Sequence, residues 1–172
     1  MTDADFRDAF LRHKDIVYRF AFRMTGSSST AEDVVQDCFV TYWRKPEAYD
    51  PGRGALRSFL LGVARNLVLK HWRRERPHGV RDMAELGEAI EDDRACLPFD
   101  LVGQERAEAV KKAILLLPPL QREVVILAEY EEMSLEQISN ATAAELAAVK
   151  SRLHRARQNL RRMLEPLFVV ER

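Results

Sequence analysis

Cysteine is scarce in this chain. Cys38 and Cys96 are the only two among 172 residues, and neither belongs to a CxxC pair. The four histidines, at positions 13, 71, 78 and 154, are scattered as well. No metal-ligand spacing is present, and no cofactor is implied. No Ser/His/Asp or Cys/His arrangement has usable spacing either, which makes an enzyme the weakest reading. Long apolar runs are missing, so no membrane insertion is expected. The opening Met-Thr-Asp-Ala-Asp lacks the basic and then apolar run of a secretion signal, which points to a cytoplasmic protein with reduced thiols. There is no β-rich segment and no internal repeat. Cys38 falls in an amphipathic stretch, where a small buried residue is the ordinary outcome.

Net charge is also missing. Lys plus Arg total 27 and Asp plus Glu total 27. The balance hides segregation, which says more about partners than the total does. From Arg57 to Arg76 the only acid is Glu75, against Arg57, Arg65, Lys70, Arg73, Arg74 and Arg76. From Pro77 to Gln104 the sign reverses: Asp82, Glu85, Glu88, Glu91, Asp92, Asp93 and Asp100 face only Arg81 and Arg94. The second basic stretch, Val149 to Arg162, has six cations (Lys150, Arg152, Arg155, Arg157, Arg161 and Arg162) and no carboxylate.

That last stretch carries Val149, Leu153, Ala156, Leu160 and Leu164 at helical spacing, so one stripe can pack while the rest presents positive charge. Such a helix suits a polyanion, although a charge run is often only a solvated face. The residues upstream favour DNA. Ser134-Leu-Glu-Gln137 has the spacing of a capping box, and so has Thr142-Ala-Ala-Glu145. The first opens a short helix over about 135–140. The second is expected to start the basic helix, with Asn140 taking the left-handed turn and Thr142 the cap. Two such helices form a helix-turn-helix, whose second helix lies in the major groove.

The remainder also reads as helix. Phe6, Phe10, Val17, Phe20, Ala21 and Met24 mark a first helix over about 3–25, with Gly26 as its stop. Ser29-Thr-Ala-Glu32 is expected to cap a second, which carries Val34, Val35, Cys38, Phe39 and Tyr42 and ends before Pro46. Pro46 to Gly54 is a loop by its prolines and glycines. A third helix runs from Ala55 or Leu56 to Arg76, with Phe59, Leu60, Val63 and Leu67 inward. Trp72 is either core or a stacking platform. Ala107, Val110, Ile114 and Leu117 form the next stripe. Pro118-Pro119 breaks the chain, and Leu120 to about Glu132 follows with Val124, Val125, Leu127 and Ala128 inward. The fold class expected is all-α: two small helical domains, 1–76 and 104–172, joined by a flexible acidic linker over 77–103 that holds Cys96 and a helical turn near Met83–Ile90.

Four motifs stand in order along this framework. They are Ala31-Glu-Asp-Val-Val-Gln-Asp37 with Phe39 and Trp43, Phe59-Leu-Leu-Gly-Val-Ala-Arg-Asn66, Leu117-Pro-Pro-Leu-Gln-Arg-Glu-Val-Val125, and Ser134-Leu-Glu-Gln-Ile138 followed by Val149-Lys-Ser-Arg-Leu-His-Arg-Ala-Arg157. Together they resemble a sigma-70-type RNA polymerase sigma factor of the small extracytoplasmic-function group, which keeps only regions 2 and 4. The resemblance covers nearly the whole chain. It departs from the common pattern at Ala143 to Ala148, where many members have Gly or Asp at the turn.

The resemblance implies roles by position. Asp33, Gln36 and Asp37, at i, i+3 and i+4, share one helix face. In the family that face docks on the clamp coiled coil of core RNA polymerase. The Tyr49–Leu56 loop matches the loop that receives a flipped base of the −10 element, with Tyr49 and Asp50 as pocket residues. Asn66 matches the position at the upstream edge of that element. Arg57, Arg65, Lys70, Arg73 and Arg74 would hold phosphates, which fix register, while base contacts specify. In the second domain Lys150, Ser151, His154 and Arg155 match positions that read or grip the −35 element, with Arg152 and Arg157 adding phosphate contacts. The acidic linker would thread the polymerase's positive channels, or serve only as a solvated tether. The second domain would bind the flap.

The partners implied are core RNA polymerase through clamp and flap, promoter DNA, and an anti-sigma factor of the kind the family commonly has. Two rival functions come from other classes. A sigma mimic that sequesters an anti-sigma factor would not need Asn66, Lys150 or Arg155. A plain helix-turn-helix regulator would not need the first domain's docking face.

Overall fold

The computed structural model describes residues 1–75 and 104–169. The acidic segment 77–103, with Cys96 and the turn expected near Met83–Ile90, lies outside the described residues.

Helix α1 (Asp3–Thr25) starts where Thr2 and Asp5 close a capping box: the Asp5 N–H donates to Thr2 Oγ1 at 3.2 Å and the Thr2 N–H donates to Asp5 Oδ2 at 2.9 Å. It ends at Gly26, whose φ of 70° is left-handed and whose N–H bonds Phe22 O. Helix α2 (Ser28–Arg44) starts earlier than the sequence suggests. Its cap is Ser27, which accepts from the Thr30 N–H, and not Ser29. Starting there adds the first helical bond, from the Ala31 N–H to Ser27 O. Two short 3₁₀ turns, Pro46–Ala48 and Pro51–Arg53, shape the loop before α3 (Leu56–Glu75).

These helices meet over Val17, Phe20, Ala21 and Met24 of α1, Val34, Cys38 and Phe39 of α2, and Leu60, Leu61, Ala64 and Val68 of α3. Cys38 is a core residue, as expected, and burial pushes its thiol up to about 12.

The second group comprises α4 (Gln104–Leu116), α5 (Pro119–Val125), α6 (Leu135–Thr142) and α7 (Leu146–Val169). The expected single helix from Leu120 to Glu132 is instead α5 followed by a π turn, Ile126–Tyr130. The Glu131 N–H reaches back to Ile126 O, and Glu132 takes a φ of 51°. The extra residue in the turn rotates the chain so that Glu131 is buried, where Arg23 and Arg57 engage it. Ile114, Leu117, Val124, Leu127, Ile138, Val149, Leu153 and Ala156 fill this group's interior.

The two groups share one core. α1 packs on α4 and on the π turn, and α3 packs on α6. The Gly62 position sets the second approach. A Cβ there would stand 3.2 Å from Ala141 O and 3.6 Å from Ala141 Cα, so a side chain at this position would push the two helices apart by at least a few tenths of an ångström. Arg122 joins the groups from the other side. Its guanidinium donates to Met24 O, Leu115 O and Leu117 O and lies 5.4 Å from the Trp72 ring centroid. Trp72 is thus half-buried against the core. Among the described residues no helix is long and apolar enough to cross a membrane.

Candidate nucleic-acid interface

The helix-turn-helix is built locally. Ser134 and Gln137 close the capping box of α6: the Gln137 N–H donates to Ser134 Oγ at 3.2 Å, and the Ser134 N–H donates to Gln137 Oε1 at 2.8 Å. The turn differs from the sequence expectation. Thr142 is the last residue of α6 and is buried, and its hydroxyl donates to Ile138 O at 2.7 Å. It caps nothing. Ala143, not Asn140, takes the left-handed position at φ 52°, and Ser139 ties the turn by donating its hydroxyl to Ala144 O. A buried hydroxyl needs a partner, and the carbonyl one turn back satisfies Thr142 where a capping role would leave it at the surface. Helix α7 therefore opens at Leu146, after Glu145.

An alanine held at positive φ is strained, at roughly 1–2 kcal/mol. The Ala143→Gly chain is accordingly expected to gain about 0.5–1 kcal/mol in urea unfolding, reduced by the greater freedom of glycine in the unfolded chain. A loss of stability on this replacement would contradict the turn described.

From that start, α7 buries Val149, Leu153, Ala156 and Met163 and leaves Lys150, Ser151, His154 and Arg155 exposed together. These are the residues expected on the −35 element, and the i, i+3 and i+4 spacing brings them onto one face. Two neighbours point elsewhere. Arg152 is turned inward, with Nη1 4.0 Å from Glu123 Oε1, and Arg157 pairs with Glu129 at 2.7 Å.

In the first group, Asp33, Gln36 and Asp37 are all exposed on α2, while the neighbouring Val34 and Cys38 are buried. Tyr49, Asp50 and Asn66 line one cavity of about 380 Å³. Tyr49 packs edge-on and tilted against Tyr42 and Phe59, with ring centroids at 6.5 and 5.6 Å. Asp50 accepts from the Gly52 N–H at 2.9 Å, which fixes the loop. The far wall of the cavity belongs to α6 and the turn: Gln137, Asn140, Ala141 and Ala143. Lys70, Arg73 and Arg74 are exposed on the last turns of α3.

Arg65 and Arg57 are placed differently from the phosphate-facing expectation. Arg65 is buried, and its Nε and Nη2 donate to the two carboxylate oxygens of Glu123 at 2.7 and 3.0 Å. Nη1 of Arg65 also donates to Asn66 Oδ1 at 3.3 Å. Arg57 donates from Nη2 to Glu131 O and Glu131 Oε2 at 2.8 and 3.0 Å. Burial pushes the Glu123 carboxyl up, and the Arg65 fork pulls against that rise.

Glu123, Glu131, Arg122 and Arg23 have no role among the sequence expectations, although Arg122 and Glu123 stand inside the third motif. One signal pointed to Glu123: it sits at helical spacing between Leu120 and Leu127, a carboxylate on an apolar stripe. Among the described residues no group of His, Cys, Asp or Glu is placed to hold a metal ion.

Residues 9–78 match the family model for sigma-70 region 2, and residues 107–160 match that for sigma-70 region 4. The chain is 29% identical to the ECF RNA polymerase sigma factor SigW of Bacillus subtilis over 171 residues, covering 94% of this chain and 90% of SigW. It is 30% identical over 167 residues to the ECF RNA polymerase sigma factor SigL of Mycobacterium tuberculosis, covering 95% and 91%. Among solved structures it is similar to the sigma factor RpoE of Bartonella quintana in complex with the anti-sigma factor NepR, with a TM-score of 0.72, 25% identity, and 98% and 99% of the two chains covered.

Proposed function

The chain belongs to the sigma-70 family, in its extracytoplasmic-function group, and from that premise we propose that it is an alternative sigma factor that joins core RNA polymerase and directs it to particular promoters. The observation that carries this function is the exposed face of α7, where Lys150, Ser151, His154 and Arg155 stand together on the second helix of a helix-turn-helix. A face of that chemistry fits the major groove, where Arg and Lys read guanine O6 and N7. It recognises the −35 element as duplex DNA. The loop cavity with Tyr49, Asp50 and Asn66 receives a base of the −10 element from the melted strand, with the exposed Lys70, Arg73 and Arg74 along the backbone. Asp33, Gln36 and Asp37 dock on the basic clamp coiled coil, and residues 104–172 meet the flap.

The chain performs no covalent step, since nucleotide transfer belongs to the polymerase, and it works in the cytoplasm beside it. An anti-sigma protein is its natural regulator, as NepR is the partner in the RpoE complex. Residues 1–76 and 104–172 form the two functional regions, and the acidic 77–103 connects them.

Open-complex formation tests this function. Core polymerase with the chain is expected to make thymines near −10 reactive to permanganate, and core alone is not. Promoter opening that is equal with and without the chain would overturn it. Arg155→Ala is expected to lower binding to promoters that carry a −35 element by about 1–3 kcal/mol, roughly five- to hundredfold, in electrophoretic mobility assays of the holoenzyme. An equal loss on templates with and without that element would make Arg155 a phosphate anchor only.

A further inference from the structure

The stretch from Ala143 to Ala148 departs from the common pattern, and none of its residues is among the DNA contacts proposed above. Its last residues form the first turn of α7, which opens at Leu146 with the Val149 N–H donating to Glu145 O at 3.0 Å. Val149 is fully buried and fixes how this turn is rolled. Each residue turns about 100° around the helix, so residues two places before and two places after Val149 both point about 160° away from it. Those residues are Ala147 and Ser151, and both are exposed. His154, three places beyond Ser151, is exposed on the same line. Leu153 and Ala156 are buried with Val149 on the other side. Ala147, Ser151 and His154 thus mark the outermost line of α7, and Lys150 and Arg155 flank it on either side.

In a helix-turn-helix the N-terminal part of the second helix meets base edges. In this chain that part of the line begins at Ala147. The short side chains of Ala147 and Ser151 let the start of α7 come close to the groove floor, while the longer cations reach out to the sides. Glu145 is exposed just ahead of the turn, so the place where a helix start would seat a phosphate carries a carboxylate instead. What remains for this turn to meet is a base edge. A methyl group neither donates nor accepts a hydrogen bond, so Ala147 is blind to the donors and acceptors of the major groove. The one apolar group that a base pair presents there is the C5 methyl of thymine.

We propose that Ala147 is a specificity-determining residue of the −35 contact, selecting one thymine by packing its methyl against the thymine C5 methyl. The assignment rests on the −35 role proposed for α7 and adds the class of base pair that its first turn selects, A·T over G·C. Lys150, Ser151, His154 and Arg155 keep the polar contacts of the same face.

Base analogues test this with holoenzyme assembled from core polymerase and the full chain. Each thymine of the −35 element, on either strand, is replaced in turn by deoxyuridine, which lacks only the C5 methyl. Electrophoretic mobility at fixed salt reads the affinity. At one thymine the replacement is expected to weaken binding of the wild-type holoenzyme about fourfold, the contribution of one buried methyl group. With Ala147→Gly the same replacement is expected to leave affinity unchanged. Each protein is its own reference in this cycle, so any helix stability lost to glycine cancels from the ratio. A wild type that is insensitive to every replacement would overturn the assignment. So would a thymine whose methyl counts equally for wild type and A147G, which would leave Ala147 as a helix former only. A holoenzyme that binds templates with and without a −35 element equally would strike the −35 role itself, and the assignment with it.

Discussion

A chain carrying Asp33→Ala and Asp37→Ala is expected to bind core RNA polymerase about a hundredfold more weakly than wild type while keeping its fold. Both carboxylates stand exposed on α2, with Gln36 between them on the same face. Val34 and Cys38, on the opposite face, are in the core. Removing the two charges therefore costs α2 little, since exposed substitutions away from caps and cores stay within about 0.5 kcal/mol. At the interface the loss is larger. A hydrogen bond to a charged partner contributes about 1.5–3 kcal/mol, so two of them at the lower end, as suits an exposed face, amount to about 3 kcal/mol, on the order of a hundredfold in Kd. Fluorescence anisotropy of labelled chain with core, at fixed salt, measures this. Unchanged affinity would remove the docking face from α2. Lost affinity together with lost helical circular dichroism would mean unfolding and not docking.

Phe20→Ala is expected to destabilise the chain by about 3–5 kcal/mol. Phe20 is fully buried, and it packs in the cluster that α1 forms with α2 and α3. The cost has two parts, the transfer of the ring to water and the cavity it leaves among side chains that relax only partly. Against a total stability of about 5–15 kcal/mol, this is enough to populate the unfolded chain at physiological temperature. Urea unfolding, with the midpoint shift converted through an unchanged slope, reads the difference. A loss below about 1 kcal/mol would mean that the site collapses around alanine, contrary to the close packing described.

The helices that build these faces were legible because each stripe repeats at helical spacing. α1 runs from Asp3 to Thr25, the span its apolar stripe predicts, and Gly26 stops it in the left-handed conformation that glycine favours. Lys150, Ser151, His154 and Arg155 fall on one exposed face for the same reason: the apolar stripe from Val149 to Ala156 fixes which side of α7 turns outward. Start points were harder to read. Ser27, Ser28, Ser29 and Thr30 all offer a capping oxygen, and the choice of Ser27 depends on one more backbone bond that no local pattern shows. At the helix-turn-helix, Thr142 has capping chemistry, yet burial decides its role, and Ala143 carries no residue-type signal for positive φ.

The ion pairs across the seam between the two helix groups were not legible at all. Arg65 and Glu123 lie 58 positions apart, and Arg57 and Glu131 lie 74 apart. Charge runs show where cations gather, but not which carboxylate a fold carries to them. The basic stretch from Arg57 to Arg76 therefore read as a uniform phosphate-binding surface. In the structure it is divided, with Arg57 and Arg65 in the seam and Lys70, Arg73 and Arg74 on exposed helix. The one local trace of this division is Glu123 itself, a carboxylate among Leu120, Val124 and Leu127.

Run-off transcription on a library of promoters, with purified core and the full chain, tests the central claim most directly. The result expected is discrete transcripts from a subset of templates that share upstream elements, appearing only when the chain is added. Core that initiates on no template with this chain, yet initiates normally with another sigma factor, would contradict it.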